Sequence, residues 1–242
     1  MATQGRRPQR RPQKTTKPPQ QKRRPGQPKQ AKKVVFDAPA SVPEEPRTFR
    51  LGVVPGATPG KWIDAWKQRM PHVPLEVVPV EVADQDAAIG GLDAALVRLP
   101  LGADTVDTLH VIPLYDEVPV VVASIESHLL AADELRLEDL AGEVLIALTD
   151  DTLPAIDAPG ALAPRFAPLS TAEAIVTAAT GTGAVVVPMS LARLHHRKDA
   201  DYRPLVDGPT STVALAWVRE RTTPDVETFV GIVRGRTAQS SR

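Results

Sequence analysis

Gly56-Ala57-Thr58-Pro59-Gly60-Lys61 carries the most obvious chemistry in the sequence. Glycines and a lysine at the start of a helix suit an anion, because free backbone N–H groups and the helix dipole both face it. The nucleotide-binding form of this pattern needs Gly where the chain has Pro55, and Ser or Thr where it has Trp62, so nucleotide binding is set aside. What remains is a loop feeding a helix N-terminus with the Thr58 hydroxyl beside it, and a plain capped helix is the competing reading. Gly181-Thr182-Gly183 comes after a helix and before a strand, the reverse of a dinucleotide fingerprint, and reads as a helix stop. No Gly-x-Ser-x-Gly surrounds any serine. His72, His110, His128, His195 and His196 lack the His-x-x-x-His spacing of a metal site. His195-His196 beside Arg197-Lys198 reads as a solvated helix end, and Asp84/Asp86 and Glu138/Asp139 read as surface acids at helix starts. Arg98 is different. It follows an apolar run at residues 92–97, at the carboxyl end of an expected strand, where open α/β sheets hold their ligands. Its two readings are an anion contact and a rim salt bridge. No nucleophile, base and orienting group can be assembled from these spacings, so the chain does not read as an enzyme, and no cofactor or metal set is indicated.

The charge distribution supplies the other functional candidate. A formal charge of zero over 242 residues is a cancellation between two very different segments. Residues 1–33 hold 12 basic residues and no acid, whereas residues 48–242 hold 16 basic against 26 acidic residues. The basic segment also contains six prolines and seven glutamines, and its apolar side chains are too few to repay the entropy of ordering it. Residues 1–47 are therefore expected to be a disordered basic arm and linker. Arg6, Arg7, Arg10, Arg11, Arg23, Arg24, Lys32 and Lys33 are its candidate nucleic-acid contacts. With no aromatic to stack on bases and no helix to enter a groove, contact with DNA or RNA would be indifferent to sequence. A solubilising tail is the competing reading. The purpose of the apolar triplet at residues 34–36 is not legible.

The basic start is followed by no apolar stretch of signal-peptide type, and no run approaches the length of a membrane span, so a cytoplasmic protein without membrane contact is expected. The chain has no cysteine, which removes disulfides, thiolate metal sites and cysteine nucleophiles.

The elements that must position Arg98 and the loops follow from periodicity. Short β-branched runs at residues 48–54, 75–80, 92–97, 110–114 and 118–123 alternate with amphipathic stretches, the pattern of βα units. Thr58 is expected as N-cap and Pro59 as first residue of a helix carrying Trp62, Ile63, Trp66 and Met70, stopped by Pro71. A short helix is expected at residues 84–89. Further on, a helix near residues 137–140, a strand at 144–148 and a Pro/Ala-rich loop at 153–164 precede the clearest local signal. Ser170-Thr171-Ala172-Glu173 has capping-box spacing and opens a helix ending at Gly181. Strands at 184–188, 202–206 and 213–218, and helices at 190–195 and from Thr223-Pro224, complete the body. A first lobe of residues 48–122 plus 210–242 and a second lobe of residues 123–209 are expected, with the chain crossing between them twice.

Taken together, residues 49–80 (FRLGVVPGATPGKWIDAWKQRMPHVPLEVVPV), 90–101 (GGLDAALVRLPL), 112–143 (opening IPLYDEVPVVVAS and closing LRLEDLAGE) and 179–220 (opening ATGTGAVVVPMSLARL and closing YRPLVDGPTSTVALAWVRE) resemble the effector-binding domain of LysR-type transcriptional regulators. That resemblance implies a two-lobed α/β clamshell of the type 2 periplasmic-binding-protein fold and a small-molecule effector, often a carboxylate, in the cleft between the lobes. It also implies a homodimer. By position it marks Thr58, Arg98, Thr149, Ser170 and Thr171 as effector contacts. Members of the family begin with a winged helix-turn-helix, which residues 1–47 cannot supply because prolines recur and no apolar periodicity exists. The leading expectation is thus a regulator's ligand-sensing domain. An interaction protein working through its arm and an exported solute-binding protein are the alternatives.

Overall fold

Alternating β-branched and amphipathic segments build two sheets, which the computed structural model describes over residues 46–235. The arm with its eight candidate contacts, the triplet at 34–36 and residues 236–242 lie outside the described residues. The elements are β1 (Phe49–Val53), α1 (Gly60–Arg69), β2 (Leu75–Pro79), α2 (Gln85–Ile89), β3 (Ala94–Leu99), α3 (Ala103–Val106), β4 (Leu109–Glu117) and β5 (Pro119–Ser124). They continue with α4 (Thr171–Ala179), β6 (Val185–Pro188), α5 (Met189–Leu194), β7 (Ala200–Pro204), β8 (Ser211–Val218) and α6 (Pro224–Val233).

The first sheet has the order β2-β1-β3-β8-β4, with β1 parallel to β2 and β3 and with β8 antiparallel to β3 and β4. The second is antiparallel, in the order β6-β5-β7. The chain leaves the first sheet at Val118 and returns to it between β7 and β8. All six residues of β5, the central strand of the second sheet, are buried on both faces.

Each sheet is covered on both sides. On one face of the first sheet, Trp66 of α1 and Val226, Phe229 and Ile232 of α6 pack on Phe49, Leu51, Leu96 and Leu215. On the other, Ile89 of α2 meets Val97, Ala214 and Ala216. In the second lobe, Ala174, Ile175 and Ala178 of α4 and Leu191 of α5 cover Val120, Val122, Val185 and Val187, while Leu129, Leu135, Leu140 and Leu153 cover the opposite face. Burial of each such large apolar side chain is worth about 1.5–3 kcal/mol. Leu153 is part of that packing, so the Pro/Ala-rich loop is anchored at its start.

Several local expectations change. The helix near 137–140 is a single 3-10 turn, Leu137–Leu140. The expected strand at 144–148 forms only isolated bridges, Leu145 with Ala184 and Leu148 with Leu169. Here the segment lies backbone to backbone against Gly183, whose hypothetical Cβ would sit 2.3 Å from the Val144 carbonyl oxygen. Gly181 does stop α4, at φ +81°, but Gly183 is there for close approach. Helix α1 begins one residue late. Pro59 is its N-cap; its carbonyl accepts from Trp62 and Ile63 N–H at 2.9 and 3.0 Å, and no side-chain cap bond forms because proline carries no side-chain acceptor. At the other end of the body, Thr223 caps α6 with Pro224 at its first position, as expected. Arg47, expected in the linker, belongs to the folded body: its Nε and Nη2 donate to Asp225 Oδ2 and Oδ1 at 2.6 and 3.1 Å, pinning the entering chain to α6.

Candidate functional site

Arg98 is the penultimate residue of β3, near its carboxyl end as expected, but it is not on a rim. It lies within β3, opposite Val213 of β8, and is 2% exposed. Across β8 from it runs β4, and the geometry there depends on a bulge. The pairing of β4 with β8 slips at Leu114, so that Pro113 faces Ala214 but Tyr115 faces Val213 and Glu117 faces Ser211. One extra residue reverses which side chains share the face of Arg98, and Glu117 comes to it in place of Asp116. Arg98 Nε donates to Glu117 Oε2 at 2.8 Å and Nη2 donates to Oε1 at 3.3 Å, in a forked pair whose two side chains are 2% and 3% exposed. Asp116, on the opposite face, accepts from Thr212 Oγ1 at 2.6 Å.

This pair reaches across the lobes. Arg98 Nη2 also donates to Ser190 Oγ of α5 at 3.3 Å, and the Ser190 hydroxyl donates to Glu117 Oε1. Gln85 of α2 holds the backbone of Arg98 from the other side: its Nε2 donates to the Arg98 carbonyl at 2.8 Å and its Oε1 accepts from Arg98 N–H at 2.9 Å. The neighbouring Gly56, at φ +83°, lets its loop approach Ser190, since a Cβ there would fall 2.7 Å from Ser190 Oγ.

The second-lobe wall is built at the start of α4. Ser170 Oγ accepts from Glu173 N–H, while Ser170 N–H and Oγ–H donate to Glu173 Oε2 at 3.1 and 2.7 Å, a complete capping box. Thr171 is buried, and its N–H and Oγ1–H both donate to Asp150 Oδ1, at 2.8 and 2.9 Å. Thr149 N–H donates to the Leu169 carbonyl at 2.8 Å, which brings residues 149–152 alongside the helix start. Burial pushes the Asp151 carboxyl above the ordinary aspartate range, the Leu153 and Thr152 N–H groups oppose that, and the charge of Asp150 adds to it.

Between these walls lies a cleft of about 480 Å³. Arg98, Thr149, Ser170 and Thr171 all line it, together with Pro55, Glu81, Asp150, Asp151, Thr152, Leu191 and His195. Four of the five expected contacts therefore meet at one site. Thr58 does not join them. It is exposed and lines a separate hollow with Tyr115, Val118 and Met189. There, burial raises the Tyr115 hydroxyl pKa, Glu117 adds to the rise and Arg98 opposes it. His195, the C-cap residue of α5 at the expected helix end, also stands in the cleft wall. Glu117, Ser190, Gln85, Asp150, Asp151 and Thr152 were not foreseen. Among the described residues no cluster of His, Asp or Glu is arranged to hold a metal ion, and no helix is long and apolar enough to cross a membrane.

The capping box gives a pH prediction. Hydrogen bonds from the Ser170 hydroxyl and N–H hold the Glu173 carboxyl below its ordinary range. A group whose folded pKa is depressed contributes stability above its unfolded pKa, about 4.3 for glutamate, and loses it as pH falls through the folded value. Glu173→Ala is thus expected to lower Tm at neutral pH, and its Tm curve should converge on that of the wild type as the solution is acidified. Curves that stay parallel into acid would refute the capping role.

Residues 44–238 match the LysR substrate binding domain family. The fold is shared with a full-length OxyR variant from Pseudomonas aeruginosa, at a TM-score of 0.59 and 20% identity over 79% of this chain and 68% of that one. It is shared with the BenM effector binding domain carrying its effector benzoate, at 0.62 and 19% over 78% and 91%. Full-length BenM matches at 0.63 and 18% over 80% and 71%. No curated protein matches the chain.

Proposed function

Because this chain belongs to the LysR substrate binding domain family, we propose that it senses a small-molecule effector bound between its lobes and acts in transcriptional regulation. The observation that carries this reading is the cleft itself, where Arg98 from the first sheet and Thr149, Ser170 and Thr171 from the second lobe stand on one cavity of about 480 Å³, a volume suited to a small ligand. Thr58, on its separate hollow, is left out of the contact set. An effector that touches both walls would favour a closed arrangement of the lobes in proportion to its differential affinity for that arrangement.

A thermal-shift screen of small metabolites on the full chain tests this. At a hundred times its Kd, a ligand specific for the folded state adds about 2.7 kcal/mol, enough for a clear rise in Tm. The expected result is at least one saturable stabiliser whose effect falls when Thr171 is replaced by Val. A screen without stabilisers, or stabilisers indifferent to cleft substitutions, would remove the reading.

The twelve cations of residues 1–33 favour a second role, contact with a polyanion through the arm. The body, with 16 basic and 26 acidic residues over 48–242, is poorly suited to that contact. Deletion of residues 1–33 is expected to abolish salt-sensitive retention on DNA of arbitrary sequence. Retention that survives the deletion would contradict the role.

A further inference from the structure

The charge balance of the cleft identifies the kind of ligand that it takes, an inference that rests on the sensing role above. Arg98 is the one arginine or lysine in its lining, and its charge is already met by Glu117 in the buried pair. The other ionisable groups of the lining are Glu81, Asp150, Asp151 and His195. Three carboxylates therefore stand around the cavity without an arginine or lysine left to balance them. Asp150 spends its Oδ1 on Thr171, and Asp151 accepts the Leu153 N–H at 3.0 Å. Each retains a second carboxylate oxygen. A carboxylate effector would enter a site of its own sign, whereas a cation entering a narrow cleft is drawn by the same field.

A second, independent feature asks for an oxygen. Arg98 is 2% exposed, yet its Nη1 finds no hydrogen-bond partner among the described residues, although Nε and Nη2 are fully engaged. A buried guanidinium N–H left without an acceptor is costly, and such groups are normally satisfied. Thr152 Oγ1, in the facing wall, is likewise buried and without a partner. Both residues line the cleft, so a small side-chain shift on ligand entry brings an idle donor to it, beside carboxylates that accept.

We propose that the cleft selects an amine that also carries an oxygen acceptor: its ammonium is held by Asp150, Asp151 and Glu81, and its oxygen takes the idle N–H of Arg98. Neutral diols lack the charge, dicarboxylates carry the wrong one, and diamines lack the acceptor.

A matched five-carbon series tests this on the full chain, by thermal shift and calorimetry: 5-amino-1-pentanol, 1,5-diaminopentane, 1,5-pentanediol and glutarate. The aminoalcohol is expected to stabilise most and the diamine less, with pentanediol and glutarate inert. Binding should weaken as ionic strength rises. The double variant Asp151→Asn with Glu81→Gln should remain folded by circular dichroism and bind the aminoalcohol about tenfold more weakly. Stabilisation by glutarate or pentanediol equal to that by the amines, or unchanged binding by the double variant, overturns the proposal and leaves the sensing role standing. If neither this series nor the metabolite screen yields a stabiliser, the sensing role falls and the proposal falls with it.

Discussion

Glu117→Gln is expected to destabilise the protein by about 3–5 kcal/mol, the usual consequence of breaking a buried ion pair from one side. The side chains of Arg98 and Glu117 are 2% and 3% exposed and joined by two hydrogen bonds. Removal of one charge leaves the other in a dry site, and that desolvation cost dominates the loss. The interpretation requires an asymmetry. Arg98→Met combined with Glu117→Leu removes both charges and should cost far less than Glu117→Gln alone, within about 1–2 kcal/mol of the wild type once the volume is refilled. Ser190→Ala removes only the neutral arm of the network and should cost about 1 kcal/mol. Urea denaturation of the three variants measures this. A Glu117→Gln loss below about 1 kcal/mol, or a double variant worse than the single, would mean that the pair is not desolvated as described.

Phe229→Ala is expected to cost about 3–5 kcal/mol through the cavity that it leaves. The Phe229 ring packs against both Phe49 and Trp66, with centroids 5.1 and 5.9 Å away, and Phe49 and Trp66 stand 4.6 Å apart. All three are buried, and Trp66 is fixed further by its Nε1–H, which donates to the Val73 carbonyl at 2.8 Å. The triad therefore cannot collapse easily into the space. It joins α1 and α6 to the first sheet, on the face opposite α2, and no residue of it lines the cleft. The variant should accordingly lose stability while any cleft ligand still binds it below its lowered Tm. A loss under about 1 kcal/mol would show that this face repacks freely.

The sequence made the layered α/β architecture readable because its two periods are unambiguous there. The strand now bounded as Pro119–Ser124 is built on the β-branched triplet at residues 120–122, and the caps at Ser170 and Thr223 mark helix starts by chemistry that needs no tertiary context. The family resemblance brought Arg98, Thr149, Ser170 and Thr171 to one site, and they do share one cleft. Glu117 could not be read. Its meeting with Arg98 depends on a bulge at Leu114, and no local pattern distinguishes that extra residue from an ordinary strand position. Asp150 was equally hidden, since its role comes from Thr171, twenty-one positions away in the chain. Thr58 failed as a cap because its successor is a proline whose own carbonyl opens the helix. At 144–148 an apolar run was taken for a strand, whereas a glycine allowed backbone contact without a ladder.

The central claim is that an effector binds between Arg98 and the Thr149–Thr152 segment. A structure of the full chain with its strongest small-molecule stabiliser tests it most directly. The account predicts the ligand in the cleft, with an oxygen on Arg98 Nη1 and polar contacts to Asp150 or Asp151. A ligand bound elsewhere, with the cleft unchanged from the unliganded protein, would contradict it.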